Sequence, residues 1–437
     1  MSLLHAAGNT CAVSELDLHA LPVTQKDIIK TIPITKTTNN ALTDTTTSFD
    51  FTFEPSNNYT DLNEASLYLE YQVVQPDGTV VTAADEAAPV NNILHSVFSN
   101  VQMLVNGEKL TGNYEQYPYK SYITDLIATE YRDKQTRLKG CQKWLPDTAG
   151  QMDTRDAPNA GWFQRRADSA GPHVKSVVGK PHLDMLDQCK LLPSHCELRF
   201  IFERTTNLFH MQQAADQDYS IVIKKAEMTI RQVVVRDEVV EVHNKSVMDP
   251  RMGAFNYPIS RSKVIKHTLP QGAQDYTFTL PDTTQIPSQL ILGLVKESAS
   301  AGSKSENPYN FKHYDIRETV VQFDHQKFEI KTNFTTGNVI KAYARLYSET
   351  GIQASGLDCG ITLDDFKNGY TLLAFDLTAD RTPEDARINL VRQGKVTLSL
   401  RFGTALPHPV SVICLSSYDN LIQLTADRLP VTDFIMS

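Results

Sequence analysis

The chain has 437 residues, of which 41% are hydrophobic and 21% are charged, and its formal net charge is −9. This length exceeds what one ordinary core holds and the composition is that of a folded protein, so we expect two domains and little disorder. The negative charge and the lack of a basic run argue against direct binding of nucleic acid. No apolar stretch approaches the roughly 18 residues that a membrane-spanning helix needs, so no transmembrane segment is expected.

Alternation of apolar and polar residues predicts strands over most of the chain. Residues 1–45 are rich in Thr, Asn and Ser and are predicted to form an amino-terminal arm that needs a partner surface to become ordered. Phe49, Phe51 and Phe53 then alternate with polar residues, which is the period-two pattern of a half-buried strand. The same pattern returns in four later runs, at 67–73, 198–202, 276–280 and 396–402. The predicted fold class is therefore all-β.

Helical periodicity is confined to three short segments. Pro89 is predicted to open a helix over 90–98, because proline is favoured in the first turn and the apolar residues that follow share one helical face. Two more helices are predicted on the same grounds, over 119–127 and 339–347. Each half of the chain thus has one or two short helices inserted between strands.

A charged segment divides the chain into two strand-rich halves of similar length. Residues 237–252 are predicted to be a linker between a first jelly-roll β-sandwich, 46–236, and a second, 253–437. Two long loops, 146–172 and 298–308, are predicted to contact other subunits, since long loops in a compact fold are usually functional or interface-forming.

A weak internal repeat favours a duplication. In the first half a strand at 101–102 is followed by a helix at 120–122 and by strands at 197–202 and 219–235. The second half keeps this order of strand, helix, strand and strand, at 321–322, 341–343, 396–402 and 409–415.

Candidate zinc-binding residues are present, but their spacing does not favour a zinc site. The triplet His195-Cys196-Glu197 is similar to part of a zinc-deaminase signature, yet the PCxxC partner is absent and the triplet begins an alternating strand. His182 and Cys189 could add two more ligands to His195 and Cys196, but this spacing matches no common structural-zinc pattern.

Other chemical motifs are weaker still. Four carboxylates could line a calcium site, although solvated turn residues explain them more simply: Asp364, Asp365, Asp376 and Asp380. The sequence contains no phosphate-binding loop, no dinucleotide fingerprint and no nucleophile elbow. We therefore expect no catalytic residue, no cofactor and no metal ion.

Eight segments in a fixed order carry a resemblance to a known family. They include PVNNILHSVFSNVQMLVNG and LLPSHCELRFIFER, and together they lie at 14–25, 89–107, 117–123, 144–153, 191–204, 307–316, 366–380 and 394–424. The chain resembles the double jelly-roll major capsid proteins of Polinton/Maverick elements and of the related polinton-like viruses and adintoviruses. The resemblance implies two jelly rolls side by side, each with eight main strands in two facing sheets. It also implies that three chains present six barrels at the six-fold positions of an icosahedral lattice.

The resemblance implies a structural protein and not an enzyme, with matched residues that determine the fold. We expect hairpin turns at Asn106-Gly107 and at Asn368-Gly369, and a helix that starts at Pro89. We expect packing residues at Tyr117, Tyr122 and Phe375. The implied partners are further copies of the chain, as a homotrimer and then as neighbouring capsomers, together with a penton protein and minor capsid proteins. The implied location is the virion capsid, assembled inside a host cell.

Two other functions stay open at the level of sequence. A receptor- or carbohydrate-binding jelly-roll protein would be favoured by a single barrel with a stalk repeat. A cupin-like enzyme would be favoured by His and Glu metal ligands clustered on adjacent strands. The sequence shows neither feature.

Overall fold

Paired antiparallel sheets make up both halves of the chain in the computed structural model. The structure describes residues 18, 21, 24–43, 46–110, 116–251, 253–281, 285–379 and 389–433.

The first half forms a sandwich of two antiparallel sheets. Its strands in the described residues are β1 (Ile28–Thr37), β2 (Ser48–Phe53), β3 (Tyr59–Val74), β4 (Ala87–Pro89), β5 (Phe98–Val105), β6 (Glu108–Lys109), β7 (Lys175–Gly179), β8 (Leu198–Arg204), β9 (Met211–Gln213) and β10 (Ser220–Val235). One sheet has the strand order β1-β10-β3-β7 and the other has the order β2-β8-β5-β6, while β4 and β9 pair with each other.

The second half forms a sandwich of the same kind. Its strands in the described residues are β11 (Phe255–Leu269), β12 (Asp275–Thr279), β13 (Gln289–Lys296), β14 (Ile316–Phe323), β15 (Gln326–Lys331), β16 (Leu372–Asp376), β17 (Thr397–Phe402), β18 (Val410–Leu424) and β19 (Pro430–Thr432). One sheet has the order β11-β18-β13-β16, with β19 paired to β18, and the other has the order β12-β17-β14-β15.

The two sandwiches share one topology. When the eight main strands of each half are numbered in chain order, both halves have one sheet of order 1-8-3-6 and one of order 2-7-4-5. The predicted repeat falls at equivalent places, because 101–102 lies in β5 and 321–322 lies in β14, the fourth main strand of each half. The prediction of an all-β fold with two tandem sandwiches is confirmed.

Short helices lie between the strands. They are α1 (Ile93–Ser96), α2 (Tyr117–Ala128), α3 (Tyr131–Asp133), α4 (Lys139–Cys141), α5 (Ala160–Ser169), α6 (Asn207–His210), α7 (Asp237–Met248), α8 (Glu297–Ala301), α9 (Ile340–Glu349), α10 (Ile352–Ser355) and α11 (Leu363–Lys367), with a π-helical turn at Lys134–Leu138 and a 3-10 turn at Asp184–Asp187. The helices predicted over 119–127 and 339–347 are α2 and α9, which both lie between the fifth and sixth main strands of their halves. In the described part of the chain, no helix combines the length and the apolar character needed to cross a bilayer.

Part of the predicted arm is a strand. Residues 28–37 form β1, which lies at the edge of its sheet and pairs with β10, where Ile34 lies opposite Ile230. Most side chains of β1 are exposed, so the strand lacks the alternation of hydrophobicity by which the others were predicted. The rest of the predicted arm is outside the described residues, except for 18, 21, 24–27 and 38–43.

The predicted linker is largely helical. Its residues 237–248 form α7, and Asp237 and Glu238 occupy the first turn, where the helix dipole favours negative charge. The segment joins the last strand of the first sandwich to the first strand of the second.

Aromatic rings fill the space between the sheets of the first sandwich. Phe49 stacks on Phe202 with ring centroids 5.7 Å apart, and Phe98 lies 5.0 Å from Phe202. Phe51 meets Phe202 edge-on at 5.8 Å. These rings come from β2, β5 and β8, so the alternating phenylalanines of the sequence place one strand face in the core.

We expect Phe202→Ala to lower the free energy of unfolding by about 3–5 kcal/mol, because it leaves a cavity that three neighbouring rings cannot close. Phe163→Ala is the matched control, since the Phe163 side chain is 46% exposed. Urea denaturation of both variants measures the difference. Equal unfolding midpoints would contradict the placement of Phe202 at the centre of the core.

Candidate functional site at the junction of the two barrels

The predicted turn and packing residues lie in different parts of the two sandwiches. Asn106 and Gly107 connect β5 to β6 and have φ angles of 49° and 82°, the positive values that a two-residue hairpin turn of type I′ requires. Tyr117 and Tyr122 lie on α2 and are fully buried. Phe375 is buried on β16.

Pro89 does not begin a helix. It is the last residue of β4, and α1 begins four residues later at Ile93, after Asn92 in the left-handed conformation with φ of 59°. The backbone pairing of β4 with β9 outweighs the local preference of proline for a first helical turn.

Asn368 and Gly369 do not form a hairpin turn. They follow α11, whose start is fixed by a capping box between Thr362 and Asp365, and they lead into β16. The φ of Gly369 is 124°, a conformation that favours glycine, and a Cβ atom at this position would also lie 2.6 Å from the Met152 sulfur of the first half.

An aromatic stack joins the two barrels. Tyr122 lies between Trp144, at 5.3 Å between ring centroids, and Tyr309 of the second half, at 3.9 Å and nearly parallel. The hydroxyl oxygens of Tyr309 and Ser96 are 2.6 Å apart. Burial raises the pKa of both tyrosines, so the phenols stay neutral. The packing role predicted for Tyr122 therefore extends across the halves of the chain.

A buried carboxylate lies beside this stack. Asp147 Oδ1 accepts hydrogen bonds from Arg165 Nη2 at 2.7 Å and from Asn159 Nδ2 at 2.8 Å. Its Oδ2 accepts from Asn307 Nδ2 of the second half at 2.8 Å, and its backbone oxygen accepts from Tyr370 Oη at 2.5 Å. The Arg165 and Asp147 side chains are 3% and 0% exposed. The ion pair is thus buried, and donors from both barrels complete it.

A second carboxylate extends the junction toward solvent. Asp153 Oδ1 accepts from the backbone N–H of Asn307 at 2.9 Å, and its Oδ2 accepts from Asn310 Nδ2 at 2.8 Å. Lys312 Nζ lies 2.8 Å from the same Oδ2. The long loop at 146–172 thus contacts both the predicted loop at 298–308, through Asn307, and the segment that follows it within one chain.

The other end of the junction is held by the carboxyl-terminal part of the second half. Arg428 donates from Nε to the Ser194 carbonyl at 3.1 Å and from Nη2 to Asn244 Oδ1 at 2.8 Å, and its own carbonyl accepts from Asn106 Nδ2 at 3.0 Å. Four side chains of β11 and β18 also pack into the core of the first sandwich: Tyr257, Ile259, Ile422 and Leu424. The two barrels are therefore fixed to each other at separate places.

Cavities flank the junction on two sides. One, of about 570 Å³, lies between α7 and the strands and is lined by residues that include Tyr59, His243 and Phe255. The other, of about 710 Å³, is lined by residues that include Lys134 and Tyr347. Burial lowers the pKa of Lys134 to about 8, and its ammonium group donates to the Cys359 carbonyl at 2.8 Å.

The ligand sets weighed in the sequence are not brought together. Among the described residues, His182 groups with His95 and Asp125 and not with Cys189, His195 or Cys196.

The carboxylates considered for calcium have other roles in the described structure. Asp365 caps α11, and Asp376 Oδ1 accepts from the hydroxyl of Thr378 at 2.6 Å. Asp364 lies in the first turn of α11, and Asp380 is outside the described residues.

No family model matches the chain. An uncharacterized protein of Caenorhabditis elegans is 22% identical over 397 residues, which cover 87% of this chain and 92% of the nematode protein.

Solved virus structures match nearly the whole chain. A chain of the Sputnik virophage has a TM-score of 0.66 at 13% identity and covers 100% of this chain and 95% of its own. The mavirus major capsid protein has a TM-score of 0.55 at 11% identity, with coverages of 100% and 97%. The PBCV-1 virus capsid has a TM-score of 0.56 at 8% identity, with coverages of 95% and 99%. The fold is a double jelly roll. At these identities the likeness is one of fold.

The periodic patterns of the sequence do not predict the junction of the double jelly roll, although two segments of the family resemblance form part of it. WLPDTAGQMD at 144–153 and NPYNFKHYDI at 307–316 contribute Asp147, Asp153, Asn307 and Tyr309. A signal was present, because each segment places polar residues beside aromatic ones outside any alternating pattern. Their partners are far apart in sequence, so periodicity could not pair them.

We expect Asp147→Asn to destabilise the protein by about 3–5 kcal/mol, because it leaves the buried Arg165 guanidinium without a counter-charge. The matched control is Asp156→Asn on the same loop, where the side chain is exposed. Urea denaturation measures both variants. An Asp147→Asn midpoint equal to that of the control would show that the buried pair does not stabilise the junction.

Acid is expected to destabilise the chain through His210, which lies on α6 at the junction. Burial, and then the positive charge of Arg204, lower the pKa of His210 to about 3. The unfolded chain takes up this proton near pH 6.5 and the folded chain does not. The contribution of neutral His210 to the free energy of unfolding is therefore fully present above pH 6.5 and is lost progressively as the pH falls toward 3.

The free energy of unfolding should change by about 1.4 kcal/mol per pH unit because of this one histidine. His210→Gln should therefore reduce the total slope of unfolding free energy against pH by that amount. His173→Gln, at an exposed position, is the control and should leave the slope unchanged. Urea denaturation at pH 4.5, 5.5 and 7 measures this slope in each variant. Identical slopes in both variants would contradict the assignment of the pH dependence to His210.

Proposed function

We propose that this chain is the major capsid protein of a Polinton/Maverick element or a related virus. Three copies associate into a capsomer with six barrels, and the capsomers build an icosahedral shell. The observation that carries the proposal is that the solved structure of the mavirus major capsid protein matches both barrels, over 100% of this chain.

The rigidity of the chain supports a shell role. Three copies of a two-barrel unit form a pseudo-hexagonal ring of six barrels only if the two barrels of each copy keep a fixed spacing. The buried Asp147–Arg165 pair with its Asn307 partner, and the Arg428 contacts at the other end, tie the barrels at two separate places. A binding module with two independent lectin-like barrels has no need of such a junction.

An exposed edge strand also supports association between copies. β1 has no strand on its outer side among the described residues, and Ile28 and Ile29 are 40% and 62% exposed. Open edges with apolar side chains invite uncontrolled pairing unless another chain or segment covers them. A neighbouring copy in a capsomer or shell is such a cover.

The nematode relative supports the link to Polinton/Maverick elements, because it is encoded by a cellular organism and spans nearly the same length. A net charge of −9 also fits a shell subunit that leaves the genome to a separate basic protein. The proposed partners are other copies of the chain, a penton protein and minor capsid proteins, and the proposed location is the virion capsid.

Light scattering on the purified full chain tests the proposal. We expect a mass of three times the chain's 48.9 kDa, and we expect negative-stain images of the same peak to show a pseudo-hexagonal outline. A stable monomer at all concentrations, with no capsomers or shells, would contradict the proposal and favour a binding module. Metal-dependent turnover of a small molecule by that monomer would instead favour a cupin-like enzyme.

A further inference from the structure

Two histidines and an aspartate from three separate segments meet inside the first barrel. His95 lies on α1, Asp125 lies on α2, and His182 lies between β7 and the 3-10 turn at Asp184–Asp187. One potential ligand atom from each residue lies within 4.8 Å of the other two. His95 is 1% exposed and Asp125 is 4% exposed.

The His95 and Asp125 side chains are oriented by outer partners, and the backbone of His182 is held by one of them. The Tyr117 hydroxyl is 2.9 Å from His95 Nδ1, and it accepts a hydrogen bond from the backbone N–H of His182 at 3.1 Å. Asn92 Nδ2 donates to Asp125 Oδ2 at 2.8 Å. Metal-binding histidines and carboxylates are held by outer hydrogen bonds of this kind, which fix the ring orientation and the tautomer.

One ring nitrogen of the cluster makes no hydrogen bond of normal geometry. This atom is the buried His95 Nε2, and the Gln142 side chain is its polar neighbour among the described residues. A buried polar atom without a partner costs about 1–3 kcal/mol, so coordination of His95 Nε2 to a metal ion would stabilise the folded protein. If His95 donates its Nδ1 proton to Tyr117, the Nε2 atom carries the free lone pair that a metal ion requires.

The spacing is close to that of a tetrahedral site. His182 Nε2 lies 3.1 Å from Asp125 Oδ1. Ligands held about 2.0–2.1 Å from a zinc ion in tetrahedral geometry lie about 3.3 Å from one another. The His95 ligand atom lies within 4.8 Å of the other two, so an inward movement of up to about 1.5 Å would complete the set. The His182 side chain is 19% exposed, which gives an ion a path from solvent.

We propose that His95, Asp125 and His182 bind one divalent transition-metal ion of the zinc class, with a water molecule in the fourth position. Two imidazoles and one carboxylate suit zinc or cobalt, whereas calcium and magnesium prefer oxygen ligands alone. The ion ties α1, α2 and the segment before the 3-10 turn to one another. The proposal stands independently of the proposed capsid role.

Titration of chelator-treated full-length protein with zinc chloride in a calorimeter tests the site. We expect one zinc ion per chain, and we expect His182→Gln to weaken binding by about 100-fold, since it removes a ligand that is partly exposed and therefore tolerant of substitution. His173→Gln, at an exposed position outside the cluster, is the matched control and should bind as the unaltered chain does. No zinc binding by the unaltered chain, or equal affinity in both variants, would overturn the proposal.

A measurement on the unaltered chain decides the matter if His182→Gln fails to fold. Zinc should protect His182 from diethyl pyrocarbonate, read by mass spectrometry, and should leave the exposed His173 as reactive as before. Cobalt chloride should give the intense visible absorption of a four-coordinate site. Equal modification of His182 with and without zinc would show that the cluster is only a buried hydrogen-bonded pair.

Discussion

The buried carboxylate of Asp147 receives donors from both halves of the chain, and the relative position of the two barrels depends on it. Arg165 and Asn159 reach it from the first half and Asn307 reaches it from the second. A buried charge is costly unless its partners satisfy it fully, so arrangements of the barrels that separate Asn307 from Asp147 are disfavoured. The neighbouring stack of Tyr122 on Tyr309 adds apolar contact between the halves to the hydrogen bonds of Asp147.

Each barrel alone would be an ordinary jelly roll with its own core. The shared topology of the two halves indicates a duplicated unit, yet the halves no longer have independent interiors. Tyr257 and Ile422 of the second half pack into the first core, while Tyr119 and Tyr122 of the first half pack into the second. Strands β11 and β18 of the second half and helix α2 of the first thus make one body of two barrels.

Local sequence patterns predicted the sheets well and the junction poorly. The alternating phenylalanines at 49–53 identified β2, because all three lie on one buried face of that strand. The strand β1 was missed because most of its side chains are exposed and only Ile32 and Ile34 are partly buried. Pro89 and the Asn368-Gly369 pair were misplaced because backbone pairing and a close approach to Met152 outweigh local turn preferences. The Asp147 and His95 clusters join residues far apart in sequence, so no periodic pattern contains them.

Electron cryomicroscopy of the purified oligomer tests the central claim most directly. The account predicts six barrels around a three-fold axis, with adjacent barrels of one chain in the relative orientation seen here and with Asp147 in contact with Asn307. Two-fold assemblies, or barrels of one chain whose relative orientation varies between particles, would contradict it.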